Sequence, residues 1–341
     1  MVAWEITRSC NLDCVHCRAA ARYGAYEGEF STDRCLALLD EIIETGDPVV
    51  ILTGGEPYLR DDILLIAEEG TRRGLRMVLA TNGTLVTNEI AEKTREAGIK
   101  RVSISIDGAD AESHDAFRGV PGAYEGSLRG IEAYRRAGVE FQINTTVTKQ
   151  NRDQLEEIMI LAEDLGAAGH HIFLLVPTGR ARDMTHRAIG AEEYEEILAW
   201  FHERDRSCSM QLKATCAPQY YRIYHRNREG KRPSKRDERG GLHAMTRGCM
   251  GGSSFCFISH RGRIQPCGFL EIDCGNLEEQ RFGNIWENSK VFHDLRNLKL
   301  YEGKCGRCEF LRVCGGCRAR AYEETGNYLA EEPLCPWEPR R

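Results

Sequence analysis

The chain has 341 residues, 41% hydrophobic and 29% charged, with a formal net charge of −6 at pH 7. That size accommodates one large core plus a smaller unit, and the negative balance argues against nucleic acid as a partner, since phosphate binding normally shows as a basic surplus. No apolar run approaches membrane-spanning length, Met1 leads straight into strand-like sequence, and 15 cysteines occur without a secretory signal; a reducing, cytoplasmic setting with thiols as metal ligands is expected, and no membrane association.

In chain order, the first predicted strand is VAWEIT at 2–7, followed at once by CNLDCVHC, which holds Cys10, Cys14 and Cys17. Three thiolates on one short loop can hold three corners of a cubane iron–sulfur cluster and leave the fourth iron open to a small molecule. On spacing alone, a zinc loop, a disulfide with a spare thiol and a chance cluster remain alternatives. Further strands are predicted at 49–53, 75–81, 101–106, 141–147 and 171–176, each a short β-branched or apolar run bounded by Gly, Pro or Asp. Amphipathic helices are predicted at 31–45, 61–73, 88–97, 123–137 and 153–165, the first capped by Ser31 or Thr32 with Gly46 past its end.

Six βα units in series predict an α/β fold, a parallel sheet with helices outside, curved into a full or partial TIM-like barrel. Reactive groups of such barrels sit where the strands end. CNLDCVHC, GGEP (Gly54, Gly55, Glu56, Pro57), TNGT, DGAD, TKQN and PTGR each follow one strand, so one mouth is expected to collect them all.

From about Gly190 the alternation stops. One more helix, at 191–204, precedes a basic run at 226–239, read as a solvated loop because acids and glycines interrupt it. Then cysteines dominate: Cys249, Cys256, Cys267, Cys274, Cys305, Cys308, Cys314, Cys317 and Cys335. Apolar periodicity is sparse here, so metal ligation is expected to help fold a small cysteine-rich domain. The boundary is placed near residue 240, giving units 1–240 and 241–341. Cys305, Cys308, Cys314 and Cys317 form C-x2-C-x5-C-x2-C, which alone suits a zinc ribbon nearly as well as an iron–sulfur site.

With these segments together, the chain resembles the radical S-adenosylmethionine (SAM) enzymes that carry a C-terminal SPASM-type auxiliary-cluster domain. The resemblance implies a [4Fe–4S] cluster with an open iron on Cys10, Cys14 and Cys17, SAM as co-substrate, and a 5′-deoxyadenosyl radical that abstracts an unactivated hydrogen. It implies that GGEP meets the SAM methionyl amine through Glu56. It also places Ser105 and Asn144 near the ribose or carboxylate, Arg118 at the carboxylate, and Val176 against the adenine. Ser105 and Asn144 are equally readable as strand-end polar groups, and Arg118 as a helix cap. His16 stands where the family more often has another aromatic residue; its ring is expected to pack beside the cluster or adenine. One or two auxiliary clusters are implied. Cys305, Cys308, Cys314 and Cys335 form one ligand set. A second draws on Cys249, Cys256, Cys267 and Cys317, with Cys249 favoured over Cys256. The two residues between Cys314 and Cys317, where the family usually has three, leave Cys317 open to either set.

Finer resemblance lies in WEITRSCNLDCVHCRAAA, LKATCAP, CFISHRGRIQPCGFLE and CRARAYEETGNYLAEEPLC. These look like the alternative-pathway haem b synthases, which turn two propionates of iron-coproporphyrin III into vinyl groups by oxidative decarboxylation. The resemblance implies an iron-porphyrin substrate and a flavodoxin- or ferredoxin-type electron donor. Related enzymes act on didecarboxysirohaem or the haem d1 precursor, and a peptide maturase is the rival enzyme reading. A tetra-anionic porphyrin needs cations, for which Arg180, Arg182, Lys213, Arg261 and Arg263 are candidates. His170, His171, His243 and His260 are candidate axial ligands.

Overall fold

Strand β1 (Val2–Thr7) is buried along its whole length and sits inside the sheet. It pairs in parallel with β2 (Val49–Gly54), and the series continues through β3 (Arg76–Thr81), β4 (Val102–Ser105), β5 (Phe141–Val147) and β6 (Gly169–Leu174). The computed structural model describes residues 1–227 and 247–340, with the side chains of residues 185 and 186 excepted. Successive strands are joined by α1 (Thr32–Ile43), α2 (Ile63–Arg72), α3 (Asn88–Glu96), the pair α4 (Ala111–Arg118) and α5 (Ala123–Ala137), and α6 (Leu155–Asp164). Ser31 caps α1 by accepting from Arg34 N, Thr87 caps α3 and Asp110 caps α4, each supplying an oxygen to an otherwise unpaired N–H.

The alternation of side chains along each strand separates two faces. Val2, Trp4 and Ile6, then Met77 and Leu79, Val102 and Ile104, Phe141 and Ile143, Ile172 and Leu174 all join one core with helix residues such as Leu38, Leu39 and Ile42. Each such aliphatic group contributes about 1.5–3 kcal/mol on full burial. The opposite, inner face is polar over much of its area: Glu5, Ser103, Ser105, Gln142, Asn144, Thr146 and His171 alternate with the core residues.

Two features depart from the six-unit expectation. The alternation does not stop at Gly190, because α7 (Ala191–Arg204) leads into β7 (Gln211–Thr215), parallel to β6 and followed by α8 (Gln219–Arg226). QLKAT escapes a pattern search because its two buried residues, Leu212 and Ala214, are flanked by Gln, Lys and Thr on the inner face. The cysteine-rich segment also extends the same sheet: β8 (Cys256–Ile258) pairs in parallel with β1, Val2 opposite Cys256 and Trp4 opposite Ile258. An antiparallel return through β9 (Arg263–Gln265) and β10 (Gly275–Asn276) gives the ten-strand order β10-β9-β8-β1-β2-β3-β4-β5-β6-β7. The sheet is therefore open, with β7 and β10 at its edges. Short helices follow: α9 (Phe282–Asn288), α10 (Lys290–Arg296), α11 (Gly303–Gly306) and α12 (Arg318–Thr325). The boundary expected near residue 240, the basic run beyond Asn227, and His243 all lie outside the described residues.

Candidate active site

The loop after β1 carries Cys10, Cys14 and Cys17, and three other strand-end segments strap it in place. Gly55 N donates to Thr7 O at 2.9 Å and Glu56 N to Ser9 O at 2.8 Å. A Cβ on Gly54 would stand 2.2 Å from Thr7 O and one on Gly55 2.2 Å from Ser9 O, so these glycines serve the approach of loop to loop. Pro57 then opens a 3-10 turn. From α4, Phe117 O and Arg118 O accept from Val15 N (3.1 Å) and Asp13 N (3.2 Å). Gly119, at φ +71°, ends that helix against Asp13 O. After β6, Arg180 N donates to Cys17 O at 3.0 Å, while the Arg180 side chain donates to Cys14 O and Ala21 O, each at 2.8 Å.

The electrostatics of this loop suit a metal cluster. Burial pushes the Cys10 thiol up to about 12 and raises Cys14, so both keep their protons until a cation displaces them. Leu12 N approaches Cys10 Sγ at 3.5 Å and Ala21 N approaches Cys17 Sγ at 3.4 Å, hydrogen bonds of the kind that tune a ligated sulfur. Arg118 is buried, donates to Cys14 Sγ at 3.7 Å and is ion-paired with buried Asp107. Its guanidinium is thus held at the thiolate loop by a counter-ion. The His16 ring packs on Phe117 with centroids 4.4 Å apart, and Nε2 lies 4.0 Å from Asp107 Oδ2. Glu56 is fully buried and accepts from Thr81 Oγ1 and Asn82 N, both at 2.8 Å, and from Tyr58 N at 3.2 Å. Burial dominates these hydrogen bonds and lifts its carboxyl to about 7. Ser105 and Asn144 are register partners on the inner faces of β4 and β5, and Asn144 Oδ1 accepts from Gln142 Nε2 at 2.9 Å.

Val176 is buried beside Leu270, Cys317 and Ala319, with Cys216 and Cys267 packed against that group. This contact leads to two further thiol groupings. Burial raises the Cys216, Cys267 and Cys317 thiols, and each is raised further by the thiolate form of others in the group Cys216, Cys249, Cys267 and Cys317, which places the four as neighbours. Cys305, Cys308, Cys314 and Cys335 line one cavity with Gly315, Gly316, Arg222 and Trp337. There Phe310 N and Gly316 N point at Cys308 Sγ and Cys314 Sγ (both 3.4 Å), and Glu332 N at Cys305 Sγ (3.3 Å). A Cβ on Gly316 would meet Cys305 Sγ at 3.1 Å.

Cys317 therefore leaves its C-x2-C partner Cys314 and joins the other grouping. Cys256 does not join it. Fixed on β8, Cys256 is buried near the amino-terminal ammonium, Cys274 and Arg296. Cys216, directly after β7, stands in its place. Cys216 escaped the sequence pattern because β7 does, although its place directly after a strand is the same as that of CNLDCVHC after β1. Among the described residues no three His, Cys, Asp or Glu side chains form a ready cage for a single metal ion.

The other candidates are mostly committed elsewhere. Arg180 fastens the cysteine loop; Arg182 pairs with Glu323, Arg263 with Asp273 at 3.3 Å, and Arg261 Nε donates to Glu27 O at 2.9 Å. His260 Nδ1 lies 3.1 Å from Glu5 Oε2. His170 faces the helices, with Nε2 2.9 Å from Thr145 Oγ1. His171 and Lys213 lie on the inner face.

Residues 4–162 match the Radical SAM superfamily and residues 249–309 the SPASM iron–sulfur cluster-binding domain. The chain belongs to the radical SAM superfamily and is a SPASM-bearing enzyme of it, taking SAM, a [4Fe–4S] cluster and auxiliary iron–sulfur chemistry; the buried thiols with N–H groups aimed at sulfur fit that donor set. In sequence it stands with haem synthases. It is 54% identical over 341 residues to the AdoMet-dependent heme synthase of Nitratidesulfovibrio vulgaris, covering 100% of this chain and 93% of the relative. To that of Methanosarcina barkeri it is 51% identical, covering 99% and 97%. The Fe-coproporphyrin III synthase of the latter organism is 32% identical, with 98% and 87% covered. The fold matches Streptococcus suis SuiB bound to S-adenosylmethionine, with TM-score 0.77, 17% identity, and 98% and 77% covered. It also matches anSMEcpe with AdoMet and the Cp18Cys peptide, with TM-score 0.71, 18% identity, and 98% and 93% covered. Among the described residues no helix is long and apolar enough to cross a membrane.

Proposed function

We propose that the protein converts two propionate side chains of iron-coproporphyrin III into vinyl groups, giving haem b. The observation that carries this reading is the 54% identity to a haem synthase across the entire chain. The reaction balances for each side chain as loss of one hydrogen atom, one carbon dioxide and one further electron, so it needs both a hydrogen abstractor and an electron acceptor. When bound, the open-iron cluster with SAM supplies the abstracting radical, and auxiliary iron–sulfur centres supply the acceptor.

The chain's own residues divide that work. Cys10, Cys14 and Cys17 hold the first cluster, with Arg118 beside Cys14 and Asp107 balancing it. Gly54, Gly55 and Pro57 set the turn that presents Glu56 to the methionyl amine, and the inner-face pair Ser105 and Asn144 faces the ribose or carboxylate. Val176 separates the SAM end from the auxiliary thiols. The two quartets, Cys216/Cys249/Cys267/Cys317 and Cys305/Cys308/Cys314/Cys335, hold two auxiliary clusters. A low-potential flavodoxin or ferredoxin is the reductant.

The test is anaerobic reconstitution followed by incubation with SAM, a strong reductant and iron-coproporphyrin III, read by mass spectrometry. Two stepwise losses of carbon dioxide plus two hydrogens, each matched by one 5′-deoxyadenosine, are expected. Deoxyadenosine formed over an unchanged porphyrin would overturn the substrate assignment.

A further inference from the structure

One register row crosses the inner face of four adjacent strands: Ser105 on β4, Asn144 on β5, His171 on β6 and Lys213 on β7. Its neighbours are polar as well, since Gln142 Nε2 reaches both Asn144 Oδ1 (2.9 Å) and His171 Nδ1 (2.8 Å). The row begins at the residues that face SAM and ends on a cation. Strands lie about 4.8 Å apart, which sets Lys213 roughly 10 Å across the sheet from Asn144.

Leu212 and Ala214 belong to the core between the sheet and its helices, so alternation turns the Lys213 side chain inward. Its only resolved environmental influence is loss of water, which lowers its pKa, and no acid partners it among the described residues. Glu5, an acid of the same face, is already engaged by Arg8, Arg18 and His260. Arg180, Arg182, Arg261 and Arg263 are all bound to other groups of the chain. An ammonium withdrawn from water without a counter-ion is costly, and the cost is relieved when a ligand brings the missing charge. The strand that carries it runs on, three residues later, to Cys216 of the auxiliary thiols.

We propose that Lys213 is the seat of one propionate carboxylate of the substrate, on the inner face between the SAM-facing row and the auxiliary thiols. This rests on the porphyrin reading above and assigns the residue that orients the side chain.

The test crosses a protein change with a ligand change, using the reconstituted, SAM-loaded protein and following the porphyrin absorption band on titration. The ligands are iron-coproporphyrin III and its tetramethyl ester, which has the same ring and no carboxylate charge. Wild-type protein is expected to bind the acid in preference to the ester. Lys213→Met is expected to weaken acid binding roughly thirtyfold, the effect of removing one partner of a desolvated charge pair, and to leave ester binding unchanged. Lys213→Arg, which keeps the charge, is expected to retain most of the preference and covers the case in which the Met variant folds poorly. Equal weakening of acid and ester by either variant, or acid binding undiminished in Lys213→Met, overturns the carboxylate seat while leaving the porphyrin reading intact. Failure of the wild-type protein to bind either porphyrin overturns the reading and the seat together.

Discussion

A carboxyl with its pKa raised to about 7, against an ordinary 4.5, keeps a proton that the unfolded chain has already lost. For Glu56 the sign follows directly: between those two values the folded state binds more protons, so stability of the SAM-free protein falls as pH rises. The loss is on the order of 3 kcal/mol once pH exceeds 7. Glu56→Gln is expected to flatten that slope, measured as the denaturation midpoint of SAM-free protein at pH 5 and pH 7.5. The N–H groups of the SAM amine are better received by the ionised carboxylate than by the protonated one, so SAM binding should tighten from pH 6 to pH 8 in the wild type and lose that dependence in the variant. Equilibrium dialysis at both pH values checks this. The thiols allow an equally sharp test. Cys216→Ala should lower iron and labile sulfide by about four atoms each per chain, whereas Cys256→Ala, beside the amino terminus, should leave both counts unchanged. These residue-level roles were unevenly legible. Cys305, Cys308, Cys314 and Cys335, grouped in the sequence by their resemblance, line one cavity in the structure. Cys216 did not stand out, because its significance depends on which strand ends there.

At the scale of elements, the cysteine loop owes its shape to its neighbours more than to its own sequence. Gly55, Gly119 and Gly179 each bring another strand-end segment against its backbone, and a Cβ at any of them would stand within 2.4 Å of a carbonyl oxygen. Gly55→Ala would have to push the loop off Ser9 O and Arg8 O, at a cost of about 1–3 kcal/mol. It is expected to slow SAM cleavage at least tenfold while the iron of the auxiliary sites is retained, as read by deoxyadenosine formation and iron analysis side by side. The sequence pointed to GGEP as the segment after the second strand, and its glycines have a structural task there as well. Their contact is with the loop after β1, a long-range pairing that no local pattern encodes. Strands β1 to β6 were legible because a core face of Val, Ile, Leu and Met repeats in each. β7 offers only Leu212 and Ala214, and its inward residues are those that a ligand-facing surface requires.

At the scale of the molecule, the cysteine-rich segment is the continuation of the barrel's sheet. β8 closes the free edge of β1, the amino-terminal ammonium donates to Ser254 O at 2.8 Å, and His260 comes from the β8–β9 turn to Glu5. Burial raises the Glu5 carboxyl, but Arg18, His260 and Arg8 outweigh it and hold the pKa well below the usual range. At the far side, buried Arg320 of α12 pairs with Glu332 and donates to Leu174 O, Leu175 O and Cys216 O, tying the ends of β6 and β7 to the auxiliary thiols. Arg320→Met would strand the Glu332 carboxylate without its cation and free three carbonyls. Breaking one half of such a buried pair costs about 3–5 kcal/mol. A chain ending at residue 246 loses more: β1 becomes an exposed, wholly apolar-backed edge, which invites aggregation. The expected outcome is that this shortened chain does not melt cooperatively and does not hold the first cluster, whereas Arg320→Met melts at lower temperature with its first cluster intact. Calorimetry with iron analysis on both proteins decides it. A shortened chain that melted cooperatively and cleaved SAM would mean that the β1–β8 seam joins two units, each stable alone.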